Sequence, residues 1–454
     1  MDGTEITRQR TILLATTIIL AVVSIFLFTS PKLNEPIETK ETTPVTRNFT
    51  IGVIPGNQQS LPNYSFQARL AQEDINRYCE EKRLNIRFNI TMSKPVEEPT
   101  QALKYTKEFR AAGVEMILGY AWSSHLCSGA RAYGYNDTMV LMTPSASSRI
   151  YSLTKPDTLY HLCVLDTEPI ETTLMAMRDR GVMAFLLMYN SQSGNAEYYA
   201  SWLMSMKSLG FVYNQTLVYN DDTSMDPFME EAESTVAEMV MAYGPDQTAV
   251  LWFDYAPPAG ESEPNGDDFL AKAASYPNLS SVTWYSWGES VKQAAYESLV
   301  NGTAAKLRLV SPVWDPKTNP TYERINSLFL ESEEAKVIDI YGDTFWRGEL
   351  GQANCNIYDG LWILSLSAIQ ANSTAPLAIK EVLPGVASNY VGATGRCTLD
   401  ETGARKGADY AFYAYFEVEG RAICLPCGSY NWDKDVFAWD ESLSKAGYYR
   451  RVHL

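Results

Sequence analysis

Two short segments bring hydroxyl groups to the ends of apolar runs, where they could receive an anion. Gly119-Tyr-Ala-Trp-Ser-Ser124 follows the apolar stretch Val114–Leu118, and Thr143-Pro-Ser-Ala-Ser-Ser148 follows Met139–Met142. Hydroxyls and backbone N–H groups at a helix start or a turn form the environment that receives a carboxylate. Two later segments, Trp252-Phe-Asp-Tyr255 and Trp284-Tyr-Ser-Trp-Gly-Glu289, also close apolar runs. The last one offers the carboxylate of Glu289 to an ammonium group, beside the indoles of Trp284 and Trp287, whose faces attract cations. The same residues have plain structural uses. Ser123 and Ser147 suit a helix cap and a turn hydroxyl, and Glu289 suits a solvated first helical turn.

Catalysis is poorly served by this inventory. Gly-x-Ser-x-Gly, His-Glu-x-x-His and glycine-rich phosphate loops are all absent from the sequence. Of the 3 histidines, only His125 falls near these segments, and no carboxylate is placed by sequence to orient it. The expectation is a protein that is not an enzyme, with no cofactor and no metal. Cys424-Leu-Pro-Cys427 has no second pair at zinc spacing, and it follows a hairpin-like stretch rather than joining a strand to a helix. A structural disulfide, with Cys397 as the partner of one of the pair, is the expectation there. With 7 cysteines at least one stays unpaired. A net charge of −17 and a pI near 4.8 argue against binding nucleic acid through its backbone.

The elements that must hold these segments alternate along the chain. Strand-like runs are expected at 49–54, 85–91, 114–118, 139–143, 182–189, 211–219, 248–254, 281–285 and 306–310, with helical stretches such as 64–82 and 99–112 between them. Met183-Ala-Phe-Leu-Leu-Met188 is continuously apolar, as a strand covered on both faces must be. This alternation specifies an α/β fold with parallel sheets and right-handed crossovers. About ten such units in 454 residues exceed one open sheet, so two lobes are expected, with function in the loops beyond the carboxyl ends of the strands.

The N-terminal segment fixes an expected compartment. Residues 11–31 carry no charge and are long enough to cross a hydrocarbon core of ~30 Å as a helix. Arg8 and Arg10 precede them, which places residues 1–10 in the cytoplasm and the rest outside. A cleaved signal peptide is the alternative, but its apolar core is usually shorter and ends in a small-x-small site. Residues 32–48 read as an extended tether. Eight Asn-x-Ser/Thr acceptors, at Asn48, Asn63, Asn89, Asn136, Asn214, Asn278, Asn301 and Asn372, suit an external, glycosylated surface.

An ordered series of short motifs resembles the type I periplasmic-binding-protein family, specifically its branched-chain amino-acid (Leu/Ile/Val) solute receptors. The series is Ala71-Gln-Glu-Asp-Ile-Asn76, Val114-Glu-Met-Ile-Leu-Gly119 with Ser123, Thr143-Pro-Ser-Ala-Ser147, Leu153-Thr154, Tyr358-Asp-Gly-Leu-Trp362, Gly392-Ala-Thr-Gly395 and Asp400-x-x-Gly403. The resemblance covers about residues 49–420. It implies two Rossmann-like lobes joined by three crossovers, lobe I from 49–164 and 316–406, and lobe II from 165–315 and 407–454. It further implies that Ser123 and Ser147 hold a ligand carboxylate with help from Ser124, Ser145 and Ala146. Glu289 would take the ammonium, and Tyr255, Trp122 and Trp287 would line the pocket. Ser193-Gly194 stands where the family has a tyrosine-glycine pair, so one aromatic wall departs from the pattern. The implied function is capture of a small polar ligand, an amino acid or related amine or amide, outside the cell for an ABC permease in the same membrane. A receptor subunit signalling through a membrane partner is the alternative.

Overall fold

The computed structural model describes residues 46–148, 158–191, 206–211, 213–220, 222–253, 265–286, 302–314, 319–336, 350–418 and 421–440. The expected membrane span, the tether up to residue 45, Leu153-Thr154, and the segments carrying Ser193, Tyr255, Trp287 and Glu289 lie outside them. Among the described residues no helix is long and apolar enough to cross a membrane.

Two sheets form the framework. The first holds β1 (Arg47–Ile54), β2 (Ile86–Met92), β3 (Met116–Gly119), β4 (Val140–Thr143) and β5 (Leu159–His161), all parallel, in the order β2-β1-β3-β4-β5. The second holds β6 (Ala184–Asn190), β7 (Tyr213–Tyr219), β8 (Thr248–Phe253), β9 (Thr283–Tyr285) and β10 (Val310–Trp314), ordered β7-β6-β8-β9-β10 and again parallel. Counted from its own first strand, each parallel set therefore has the same order. A short hairpin, β11 (Val391–Gly392) and β12 (Gly395–Arg396), stands apart. An antiparallel extension, β13 (Tyr410–Val418), β14 (Arg421–Asn431) and β15 (Val436–Trp439), continues the second sheet beyond β10.

Both sheets are covered on both faces, as their apolar strands require. Alternate residues of β1 divide between two cores. Phe49, Ile51 and Val53 meet α1 (Leu61–Glu81), α6 (Pro320–Leu330), α7 (Asn356–Ala371) and α8 (Pro376–Asn389), whereas Ile54 joins the other face under α2 (Pro99–Ala111). In the second sheet Phe185 and Leu187 face α3 (Thr167–Asp179), while Leu186 and Met188 face α4 (Met225–Tyr243) and α5 (Asn265–Ala273). Each such side chain, when fully buried, contributes about 1.5–3 kcal/mol. The helices from the far end of the chain are fitted closely. Phe66 of α1 meets Phe329 of α6 edge-on at 5.2 Å, and a Cβ added to Gly360 of α7 would lie 2.6 Å from Leu118 of β3.

Most expected elements are present within two residues of their expected ends. One differs. Instead of a strand at 306–310, Thr303–Lys306 is a helical turn, Arg308 is left-handed (φ 52°), and the strand begins at Val310. The expected disulfide is also corrected, since the described cysteines Cys79, Cys163, Cys355, Cys397, Cys424 and Cys427 are all free thiols. Cys397 belongs to the first-sheet core, while Cys424 and Cys427 pack against opposite faces of the second sheet.

The chain passes between the sheets near residues 162–166, again between Trp314 and Asn319, and near 400–409, and the first and third passages run side by side. His161 N–H donates to the Gly403 carbonyl (2.9 Å), and Arg405 N–H donates to the His161 carbonyl (2.8 Å). The buried guanidinium of Arg405 donates to the Leu162 carbonyl (3.2 Å), the Asn356 Oδ1 (3.2 Å) and the Thr394 hydroxyl (2.9 Å). It also covers the ring of Trp314, at the head of the second passage, at 4.8 Å. The Thr394 hydroxyl in turn donates to buried Asp359 (2.6 Å), which also receives the backbone N–H groups of Ala393 (2.9 Å) and Thr394 (2.8 Å) and the Tyr390 hydroxyl (3.1 Å).

Glu168, in the first turn of α3, faces this region. Burial pushes its carboxyl up to about 7 from an ordinary 4.5, against the Gly407 N–H and the Arg405 charge and with the like charges of Glu171 and Asp400. The folded chain thus binds the Glu168 proton more tightly than the unfolded chain. The resulting stabilisation is complete below about pH 4.5 and is lost as pH rises towards 7. Glu168→Gln is therefore expected to unfold at a higher temperature than the parent at pH 8, by the equivalent of about 1–3 kcal/mol, with the difference vanishing near pH 4. Equal melting temperatures at both pH values would contradict this assignment.

Candidate functional site

The order β2-β1-β3 places a switch point between β1 and β3, where successive connections leave towards opposite faces and a crevice opens at the carboxyl ends. Three loops meet there: 55–60 after β1, 120–125 after β3 and 144–148 after β4. A Cβ on Gly56 would lie 2.8 Å from the Ser60 hydroxyl and 2.9 Å from the Ala121 Cβ, so the first two loops touch through a position that only glycine fits.

Tyr120 opens the second loop in a left-handed conformation (φ 66°), which costs free energy for a bulky side chain. The tyrosine is held by contacts at both ends. Its hydroxyl pairs with that of Thr106 on α2 (2.8 Å), and its carbonyl accepts from the Thr143 hydroxyl (3.0 Å). This turn delivers Trp122, 39% exposed, to the surface, with its ring edge-on to that of buried His125 at 5.0 Å. Burial lowers the His125 imidazole to about 4, so at neutral pH it is an uncharged prop under the indole.

The third loop is stitched to the second. The Ser145 hydroxyl donates to the Ala121 carbonyl (2.8 Å), and Ser148 N–H donates to the Ser123 hydroxyl oxygen (3.2 Å). From below, Asn356 of α7 donates to the Pro144 carbonyl (2.9 Å), and the Ala146 carbonyl is bonded by His161 Nδ1 (2.8 Å) and the Cys163 thiol (3.2 Å). The N–H groups of Ser145 (3.4 Å) and Ala146 (2.8 Å) both point at the Thr143 hydroxyl.

Six of the residues singled out from the sequence are thus brought together: Trp122, Ser123, Ser124, Ser145, Ala146 and Ser147. Their roles divide in a way that sequence did not reveal. The Ser145 hydroxyl and the Ala146 N–H and carbonyl take part in fixing the loop. The hydroxyls of Ser124 and Ser147 have no partner among the described residues, Ser124 being exposed and Ser147 half-buried. Ser123 is half-buried and uses its oxygen to accept from Ser148, which leaves its O–H to donate. Gly56 and Asn356 shape the site without having been singled out, and Tyr120 and Thr143 do so from within the two hydroxyl-rich segments. A Pro-Gly pair after the apolar run of β1 was the available signal for Gly56.

Chemically, the described part of the site is a set of neutral hydroxyl donors beside an indole. It suits hydrogen bonding to anionic oxygens. Among the described residues no group of three or more His, Cys, Asp or Glu side chains could hold a metal. His125 and His161 are both buried, and burial lowers both imidazoles.

By sequence, no protein-family model and no curated protein matches the chain. Solved structures match its fold. A substrate-binding protein of an ABC transporter from Desulfitobacterium hafniense, in complex with Leu, is 15% identical with a TM-score of 0.60, covering 84% of this chain and 100% of its own. The branched-chain amino-acid substrate-binding protein LivJ from Streptococcus pneumoniae, in complex with isoleucine, is 13% identical with a TM-score of 0.53 over 84% of this chain and 99% of its own. A solute-binding protein from R. palustris in complex with benzoate is 11% identical with a TM-score of 0.52 over 84% and 96%. The chain has the α/β fold of the type I periplasmic binding proteins.

Proposed function

We propose that this chain is a solute-binding protein that captures a small carboxylate-bearing ligand at the carboxyl ends of β1, β3 and β4. The observation that carries this reading is the trio of donating hydroxyls, Ser123, Ser124 and Ser147, held beside the Trp122 indole at the β1/β3 switch point. Leu, isoleucine and benzoate, the ligands of the matched structures, share a carboxylate and an apolar body. Hydroxyls take up the former and an indole face suits the latter. An amino acid is the leading candidate, with Glu289 as the group for its ammonium. Tyr255, Trp287 and Ser193 would complete the pocket from the second lobe, residues 165–315 and 407–454. Residues 11–31 would anchor the protein in the membrane with its globular part outside, where an ABC permease takes over the ligand.

The test is a thermal-shift comparison on the purified full-length chain, using amino acids, aromatic carboxylates, and amines lacking a carboxylate. A ligand at 100 times its Kd adds about 2.7 kcal/mol to stability and raises the melting temperature. Shifts from carboxylates alone are expected; shifts only from amines without a carboxylate would refute the proposal. Removing one hydroxyl that donates to a charged oxygen costs about 1.5–3 kcal/mol. Ser123→Ala should therefore weaken the active ligand roughly tenfold or more in a calorimetric titration, and an unchanged affinity would remove Ser123 from the site.

A further inference from the structure

The eight Asn-x-Ser/Thr acceptors are not equivalent in the folded chain. Asn301 and the side chain of Asn214 lie outside what is described. Asn63 is 3% exposed, and its Oδ1 accepts from Gln67 Nε2 at 2.6 Å inside α1. A sugar there would have to displace the packing of that helix. Asn278 is half-buried, with its Nδ2 donating to Glu233 (2.7 Å), whose carboxylate also receives the N–H groups of Asn278 and Leu279 at 2.9 Å. The remaining four, Asn48, Asn89, Asn136 and Asn372, have exposed side chains.

These four share a location. Asn48 is the second residue of β1, at the amino end of the first sheet. Arg47 binds the carbonyl oxygen of Asn372 (3.3 Å) and its Oδ1, which places Asn372, just beyond the end of α7, at the same end. Asn136 lies in the turn that leads into the amino end of β4, next to Asp137, which pairs with Lys380 of α8 (3.4 Å). Asn89 stands on β2, which among the described strands pairs with β1 alone, in register with Thr50 and two pairs along from Asn48↔Arg87. On a parallel pair, residues two apart share a face, so Asn48 and Asn89 project from the same side of the sheet. The loops of the candidate site occupy the opposite, carboxyl end.

We infer that Asn48, Asn89, Asn136 and Asn372 carry N-linked glycans that cluster at the amino end and outer strand of the first sheet and leave the switch-point loops clear. The inference rests on the external placement proposed above, and on no particular ligand. In each case the amide Nδ2 bonds to the anomeric carbon of a lipid-linked oligosaccharide. The bond from that carbon to the lipid pyrophosphate breaks, the pyrophosphate leaves, and the amide gives up one proton while keeping the other. Because each amide keeps its oxygen, Asn372 can still accept from Arg47.

The experiment is site mapping on the full-length chain isolated from the membranes of its own cells. Enzymatic deglycosylation in heavy-oxygen water converts each formerly glycosylated asparagine to a labelled aspartate, which peptide mass spectrometry locates. Label is expected at Asn48, Asn89, Asn136 and Asn372 and not at Asn63 or Asn278. The Asn→Gln variants of the four should each lose one glycan step in electrophoretic mobility and keep the ligand-induced thermal shift. Absence of label from any of the four, or its presence at Asn63 or Asn278, overturns the assignment. A glycosylated chain that binds no carboxylate would refute the proposed function alone, and a carboxylate-binding chain without glycans would refute this inference alone.

Discussion

Asp359→Ala is expected to destabilise the chain by about 3–5 kcal/mol, a large part of the ~5–15 kcal/mol that separates folded from unfolded protein. The carboxylate is fully buried and gathers four donors, the N–H groups of Ala393 and Thr394 and the hydroxyls of Thr394 and Tyr390. Alanine leaves these donors in an interior from which water is excluded, and each unpaired donor costs about 1–3 kcal/mol. The hydroxyls can rotate to other acceptors, but the two backbone groups are fixed by the β11–β12 hairpin, so the loss does not relax away. Urea denaturation measures it as a lowered midpoint at constant slope. A loss below about 1 kcal/mol would mean that water or a rotated neighbour takes over the carboxylate's role.

Arg405→Met, which keeps much of the side-chain volume, is expected to cost a similar ~3–5 kcal/mol. It removes the guanidinium that joins Leu162, Asn356 and Thr394 and covers Trp314, and it leaves Asp359 buried without its counter-charge. Arg405→Lys should not rescue stability, because an ammonium is a single centre and cannot reproduce a planar fork with donors on several sides. The two sites are coupled through the Thr394 hydroxyl, which accepts from Arg405 while donating to Asp359. Asp359→Asn combined with Arg405→Met should therefore cost less than the sum of the single changes, by about 0.5–3 kcal/mol. Strict additivity would show that the relay carries no energy. Intrinsic fluorescence during denaturation can follow all of these variants, since Trp314 lies against the guanidinium.

The motifs that made the fold legible turn out to be parts of this framework. Asp359 and Thr394 belong to Tyr358–Trp362 and Gly392–Gly395, and Asp400 turns its Oδ1 to the N–H groups of Thr402 (2.8 Å) and Ala404 (3.1 Å). Asp74, from the first motif, holds Arg324 through two bonds (2.8 and 2.9 Å) and accepts from the Tyr358 hydroxyl (2.8 Å). Short motifs could signal the fold because each supplies one half of a polar contact. Their pairing stayed hidden, because periodicity carries no information about which distant residue is the partner. Strands such as β6 and β8 were readable because an unbroken apolar run has few alternatives. The three-residue β5 and the shift from residue 306 to Val310 were not, since tertiary pairing decides such short segments. At the site the hydroxyl-rich loops were evident. Which hydroxyls face outward was not, because that depends on Tyr120 adopting a backbone conformation that its residue type disfavours.

The placement of α6, α7 and α8 on the first sheet also bears on how a ribosome can make this protein. One face of that sheet is built from Phe49, Ile51, Val53 and Met116, early in the chain, and from Ile325, Phe329, Leu361 and Leu383, about 200 residues and more later. While the strands of the second sheet are being synthesised, only α1 covers that face of the first sheet, and the apolar side chains left for α6, α7 and α8 remain open to mispairing. The parallel strands of the second sheet are complete by Trp314, before any of those helices exists. Synthesis therefore favours a second sheet that assembles ahead of the first, although the first leads in sequence. The nascent chain is most in need of a chaperone between the emergence of β4 and that of α7.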